Sequence, residues 1–136
     1  MNYRIIVSAV IEKDGAVLLG KKAPGVGPYP DVWHLPGGGA NMGEETLVEA
    51  LAREVREETG IEIENIEPYA FDEDDGPDKH GVMTHYIFLV FKARYLQGAL
   101  QAAGDIAELR WVKKEELNNF PLTRPSIKLF KEKGLL

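Results

Sequence analysis

Twenty-one residues, Ala23 to Gly43, hold four Pro and six Gly, whereas the next fifteen from Glu45 to Thr59 hold neither. Breakers at that density exclude a regular element from the first stretch, and their absence permits a helix in the second. Leu47, Val48, Leu51, Ala52 and Val55 line one stripe of that helix, and Gly60 supplies its C-terminal stop. The chain must therefore fold around one amphipathic helix fed by a long loop. Tyr29 and Trp33 within the loop favour an ordered, packed segment.

The flanking sequence reads as strands. Tyr3 to Glu12 is rich in Ile and Val on both alternating faces, as in a strand covered from both sides, and Lys13-Asp14-Gly15 turns it into a returning strand, Ala16 to Lys22. After the helix, Ile61 to Phe71 alternates Ile with acidic residues, and the polar stretch Asp72 to Gly81 is expected to be an exposed loop. Val82 to Leu96 is the strongest strand, Leu109 to Val112 a short one, and Lys114 to Leu117 and Ser126 to Lys133 are expected to be helices, the second led by Pro125. The order β, β, α, β, β, β, α predicts an α/β fold with a mixed sheet and helices on its faces.

At 136 residues with 44% hydrophobic and 28% charged side chains, a single domain over residues 1–136 is expected. The longest apolar run, Tyr86 to Phe91, is six residues, so no membrane span is expected. Cysteine is absent and no basic, apolar leader precedes the first strand, which makes a cytoplasmic location the plain expectation. The formal charge of −6 opposes a grip on nucleic-acid polymers, so an anionic partner would need a mediating cation.

The helix itself carries the chemistry. At about 100° per residue, Glu54, Glu57 and Glu58 fall within an arc of roughly 100° beside the apolar stripe. Glu54 and Glu58 repel at i, i+4, and Glu57 and Glu58 sit in the last turn, where the helix dipole disfavours negative charge. A solvated acidic face meets both objections. A hard cation such as Mg²⁺ relieves both, because it takes oxygen ligands from a few carboxylates and fills its other positions with water and phosphate. Gly37-Gly38-Gly39 lets the backbone come close to a ligand, and a carbonyl there could complete a metal shell. Arg53 can pair with Glu49 and Glu57 at helical spacing and hold carboxylates in place.

Gly39, five residues, Glu45, seven residues, then Arg53-Glu54-Val55-Arg56-Glu57-Glu58-Thr59-Gly60-Ile61 matches in full the signature of the Nudix hydrolases, G-x5-E-x7-R-E-U-x-E-E-x-G-U with U aliphatic. Trp33-His34-Leu35-Pro36-Gly37-Gly38 resembles the family's lead-in, and Arg110-Trp111-Val112 with Glu115-Glu116-Leu117 its C-terminal part. The resemblance implies an α/β/α sandwich and hydrolysis of a nucleoside diphosphate linked to another group, with Mg²⁺ or Mn²⁺. It implies that Glu54, Glu57, Glu58 and the Gly38 carbonyl hold the metal, with Glu45 and Arg53 orienting them. Glu57 or Glu58 would be the general base, or Glu108, which resembles a base carried on a distant loop in some members, with Asp105 as the alternative.

Outside the signature, Lys21, Lys22 and Arg94 could reach phosphates, and Tyr29, Trp33, Phe71, Tyr86 and Phe88 could include a base-stacking platform. Of these, Lys22, Trp33 and Arg94 are the expected substrate contacts. His34, His80 and His85 have no ligand spacing and are assigned no chemistry. The resemblance points to a small nucleotide as substrate, first of all a nucleoside triphosphate cleaved to monophosphate and pyrophosphate, with pyrimidine deoxynucleotides foremost. An ADP-ribose or nucleotide-sugar pyrophosphatase is the alternative, because Pro77 lies near where ADP-ribose hydrolases carry a proline, and a nucleotide binder without catalysis is another.

Overall fold

The computed structural model describes residues 1–24 and 31–136. Strand β1 (Asn2–Lys13) turns through Asp14 and Gly15, both at positive φ as a tight two-residue hairpin requires, into β2 (Ala16–Lys22). The two strands pair only at Glu12–Val17 and Lys13–Ala16 and then part. Beyond that point β2 runs antiparallel to β7 (Ile106–Lys113), and the vacated edge of β1 is taken by β4 (Gly37–Gly39), which pairs with Ile6, Val7 and Ser8. A two-residue β3 (Trp33–His34) adds to β2.

The stretch expected to be wholly loop thus contains two short strands. Glycines that break a helix do not prevent a backbone from satisfying its N–H and C=O groups on a neighbouring edge. Tyr29 lies outside the described residues.

Helix α1 (Leu47–Thr59) starts two residues later than the breaker pattern suggests, because Thr46 and Glu49 close a reciprocal capping box, with each side chain bonded to the other's amide. Gly60 ends it in a left-handed conformation. Ala50, Leu51 and Val55 are buried, whereas Val48, placed on the apolar stripe by periodicity, is 45% exposed.

Strand β5 (Glu62–Pro77) replaces the expected Asp72–Gly81 loop over most of its length and pairs antiparallel with β6 (Met83–Gln97). The acidic side chains concealed it. Ladder bonds use only the backbone, and charges on an outer strand are a common guard against edge-to-edge association. Strand β6 runs parallel to β1, so the sheet is mixed, in the order β3-β2-β1-β6-β5. A 3₁₀ helix (Lys114–Asn119) and α2 (Arg124–Glu132, with Pro in its first turn) complete the chain.

Helices cover both faces. Val7, Ala9 and Ile11 pack with Leu51 and Val55 of α1, while Val10, Val17 and Leu19 pack with Leu117, Leu129 and Phe130 on the opposite side. Each of the larger side chains among these contributes about 1.5–3 kcal/mol. No helix among the described residues is long and apolar enough to cross a membrane.

Candidate active site

The capped start of α1 and the pairing of β4 with β1 bring the glycine loop onto the flank of the helix. Arg53 is the hub of what results. Its Nε and Nη2 grip both oxygens of Glu45 at 2.9 Å, and Nη2 also donates to the Gly39 carbonyl at 3.2 Å. Nη1 reaches Glu54 at 3.1 Å and Glu57 at 3.2 Å. The fork geometry matters here, since a Lys ammonium has no planar set of donors with which to copy it. Arg53 and the Asn41 amide hold the Glu45 carboxyl down to about 2, and the surrounding carboxylates push the Arg53 value above its already high level. The grip on Glu45 was not legible from helical spacing, which offered only Glu49 and Glu57.

On the other side, Glu58 accepts a 2.8 Å bond from the Gly37 amide. Burial pushes its carboxyl up to about 7, and the negative charges of Glu54 and Asp105 add to the effect, against the Gly37 amide and the Lys22 ammonium. A Cβ on Gly38 would push the Glu54 carboxylate out of its place, and a Cβ on Gly37 would strike the Val7 backbone carbonyl, which cannot give way. Glu54 is largely covered, with 17% of its side chain exposed, and Glu57 is open at 57%.

Glu45, Arg53, Glu54, Glu57, Glu58 and Gly38 are therefore gathered in one place. Among the described residues no three His, Asp or Glu side chains already stand at ligand spacing, because Arg53 draws Glu54 and Glu57 while Glu58 turns to Gly37. The donors are all oxygens, two of the carboxylates are largely covered, and Glu58 resists ionising as the site stands. Such a set fits a hard divalent cation.

The remaining expectations divide. Lys22 follows a bulge at the end of β2, and its charge acts on both Glu58 and His34. His34 donates from Nδ1 to the Leu35 carbonyl, its Nε2 is buried with no partner among the described residues, and burial lowers its value. Trp33 does not serve as an open contact surface. It is 6% exposed, packs edge-on against Phe120 at 5.6 Å between centroids, and has Lys21 and Arg110 over its ring.

Arg94 is likewise not brought to the site. It pairs in register with Glu12, four residues along β1 from the Ser8–Gly37 contact, and lines a separate cleft with Lys13, Asn65 and Glu67. Glu108 is tied to Arg110 at 3.1 Å, and the charge of Asp105 acts on Glu58. Of the aromatics, Phe71 is 77% exposed, and Tyr86 and Phe88 stack in parallel, half-buried, at 6.0 Å. His80 is exposed, while His85 is held between Asp75 and Glu73, a cross-strand arrangement that the pairing of β5 with β6 creates.

The geometry agrees with the comparisons. The family model for the NUDIX domain matches residues 2–132. Over the full length of both chains, the protein is 37% identical to the nucleoside triphosphatase NudI of Enterobacter sp. (strain 638) and 35% identical to that of Escherichia coli O139:H28. Its fold is similar to the crystal structure of a MutT NUDIX hydrolase from Burkholderia pseudomallei, with a TM-score of 0.79 and 27% identity over 96% of this chain and 98% of that one. It is also similar to the solution structure of the E. coli ORF135 protein, with a TM-score of 0.68 and 30% identity over 96% and 88%. With the signature glutamates assembled around Arg53 and the match spanning nearly every residue, the chain belongs to the Nudix family and is a hydrolase of phosphoric anhydride bonds.

Proposed function

We propose that the protein hydrolyses a nucleoside triphosphate to the monophosphate and pyrophosphate with Mg²⁺ or Mn²⁺. The observation that carries this reading is the full-length likeness to proteins named nucleoside triphosphatase, in a chain that keeps the whole carboxylate–Arg53 assembly. The cation would be held by Glu54, Glu57, Glu58 and the Gly38 carbonyl. When bound, it would neutralise phosphate charge and make water a better nucleophile.

The chain's own residues do the rest. Arg53 fixes Glu54 and Glu57 in one orientation and is itself fixed by Glu45, so the negative surface is set before substrate arrives. Lys22 faces the same region and receives phosphate oxygens. A carboxylate takes the proton of the attacking water. Asp105, which acts on Glu58, stands ahead of Glu108 for that role, with Glu57 and Glu58 on the helix as the other acceptors.

Pro77 has a structural place of its own. It closes the outer strand β5 opposite Met83, a position where Pro costs no ladder bond, rather than sitting in a turn. The test is kcat/KM with Mg²⁺ over dCTP, dTTP, dUTP, dGTP and ADP-ribose. A triphosphate should lead and release pyrophosphate. ADP-ribose exceeding every triphosphate tenfold would overturn the reading, as would binding of nucleotides without turnover.

A further inference from the structure

A row of side chains crosses the sheet from the signature loop to its outer edge on the face covered by α2. Gly39 pairs with Ile6, Ile6 with Phe88, and Phe88 with Asp72; one step along, Arg4 pairs with Tyr86, and Tyr86 with Asp74. Partners in register project to the same face. The Arg4 guanidinium packs where Gly39 lacks a side chain, and Gly39 is bonded through its carbonyl to Arg53. The row thus meets the catalytic cluster, which stands on the α1 face, at the Gly39 backbone. At about 4.8 Å per strand step it spans roughly 14 Å from Gly39 to Asp72, a length suited to a nucleotide laid from its phosphates to the far edge of its base.

Tyr86 and Phe88, stacked on each other in the middle of this row, offer the flat apolar surface a base needs. Asp74 stands beyond Tyr86. Its Oδ2 accepts from Arg124 of α2 at 2.8 Å and its Oδ1 from the Asp75 amide at 2.9 Å, which fixes the carboxylate while leaving each oxygen a free lone pair. As a strap for α2 the Asp74–Arg124 pair does little, since both side chains are more than half exposed. An ionised carboxylate only accepts hydrogen bonds. It attracts an exocyclic amino group and repels a carbonyl oxygen at the same position.

We propose that Asp74 reads the edge of a base stacked on Tyr86 and favours a base with an exocyclic amino group, so that among pyrimidines it selects cytosine over uracil and thymine. This rests on the triphosphate reading above and names its specificity.

The experiment measures kcat/KM for dCTP and dUTP with Mg²⁺ in the wild type and in Asp74→Asn, Tyr86→Ala and Lys128→Ala. The wild type should prefer dCTP at least tenfold, and Asp74→Asn should cut that ratio at least tenfold. Tyr86→Ala should lower both values by about 10- to 100-fold while the ratio holds within threefold. Lys128→Ala breaks the neighbouring 3.2 Å bond between α2 and Asp72 and serves as the control for a merely structural strap; the ratio should hold. A wild type that favours dUTP, or a ratio indifferent to Asp74→Asn, overturns the inference with the triphosphate reading intact. Hydrolysis of ADP-ribose with neither triphosphate cleaved overturns the triphosphate reading itself.

Discussion

Replacing Glu58 with Gln should make the metal-free protein more stable at pH 8 and should lose most of that advantage by pH 5. Gln keeps an oxygen to accept the Gly37 amide but carries no charge into the covered space beside Glu54. The folded carboxyl sits at about 7 against an ordinary 4.5, with burial as the main cause. Between those values the folded chain holds a proton that the unfolded chain has released, so stability falls as pH rises through this window and is level on either side of it. At 1.36 kcal/mol for each pH unit, the full difference is roughly 3 kcal/mol. For a chain of this size that corresponds to about 10 °C in Tm.

The assay is thermal or urea unfolding in a chelator from pH 5 to 9, read as the gap between variant and wild type. Other titrating groups, His34 and His85 among them, are common to both proteins and cancel in that gap. A gap that stays constant across the range, or a wild type that gains on the variant toward pH 8, would refute the account of Glu58 as a desolvated carboxyl. Added Mg²⁺ should then stabilise the wild type more than the variant at pH 8.

Arg53→Lys should lower kcat by about 100-fold or more, because the ammonium cannot hold Glu45, Glu54 and Glu57 together; steady-state kinetics showing less than a tenfold loss would contradict the hub. Gly38→Ala should abolish turnover through its collision with the Glu54 carboxylate while circular dichroism shows α1 retained; an active variant would sink that contact as essential. Glu108→Gln should cost less than tenfold in kcat and Asp105→Asn considerably more, by about 10²- to 10⁴-fold if Asp105 is the proton acceptor. The reverse order would return the role to Glu108.

Features with local causes were legible in the chain alone. Helix α1, its Gly60 stop, the facing of Glu54, Glu57 and Glu58, and the reach of Arg53 to Glu57 all follow from helical spacing and conformational preference within fifteen residues. The family signature overlaps that segment and extends back to Gly39.

Features that depend on partners distant in the chain emerged with the fold. The Asp72–Gly81 stretch is polar, and its pairing as β5 became visible only against β6. The glycine loop became β4 because β1 and β2 part and leave an edge open. Trp33 was consigned to the core by Phe120, and Arg94 was carried away from the site by its register with Glu12. The bond from Gly37 to Glu58 and the row from Arg4 through Tyr86 to Asp74 join residues 12 or more positions apart. Helical periodicity reaches three or four residues along the chain, whereas hydrogen-bond registry between strands and the burial that shifts a carboxyl are set by whatever the fold brings alongside.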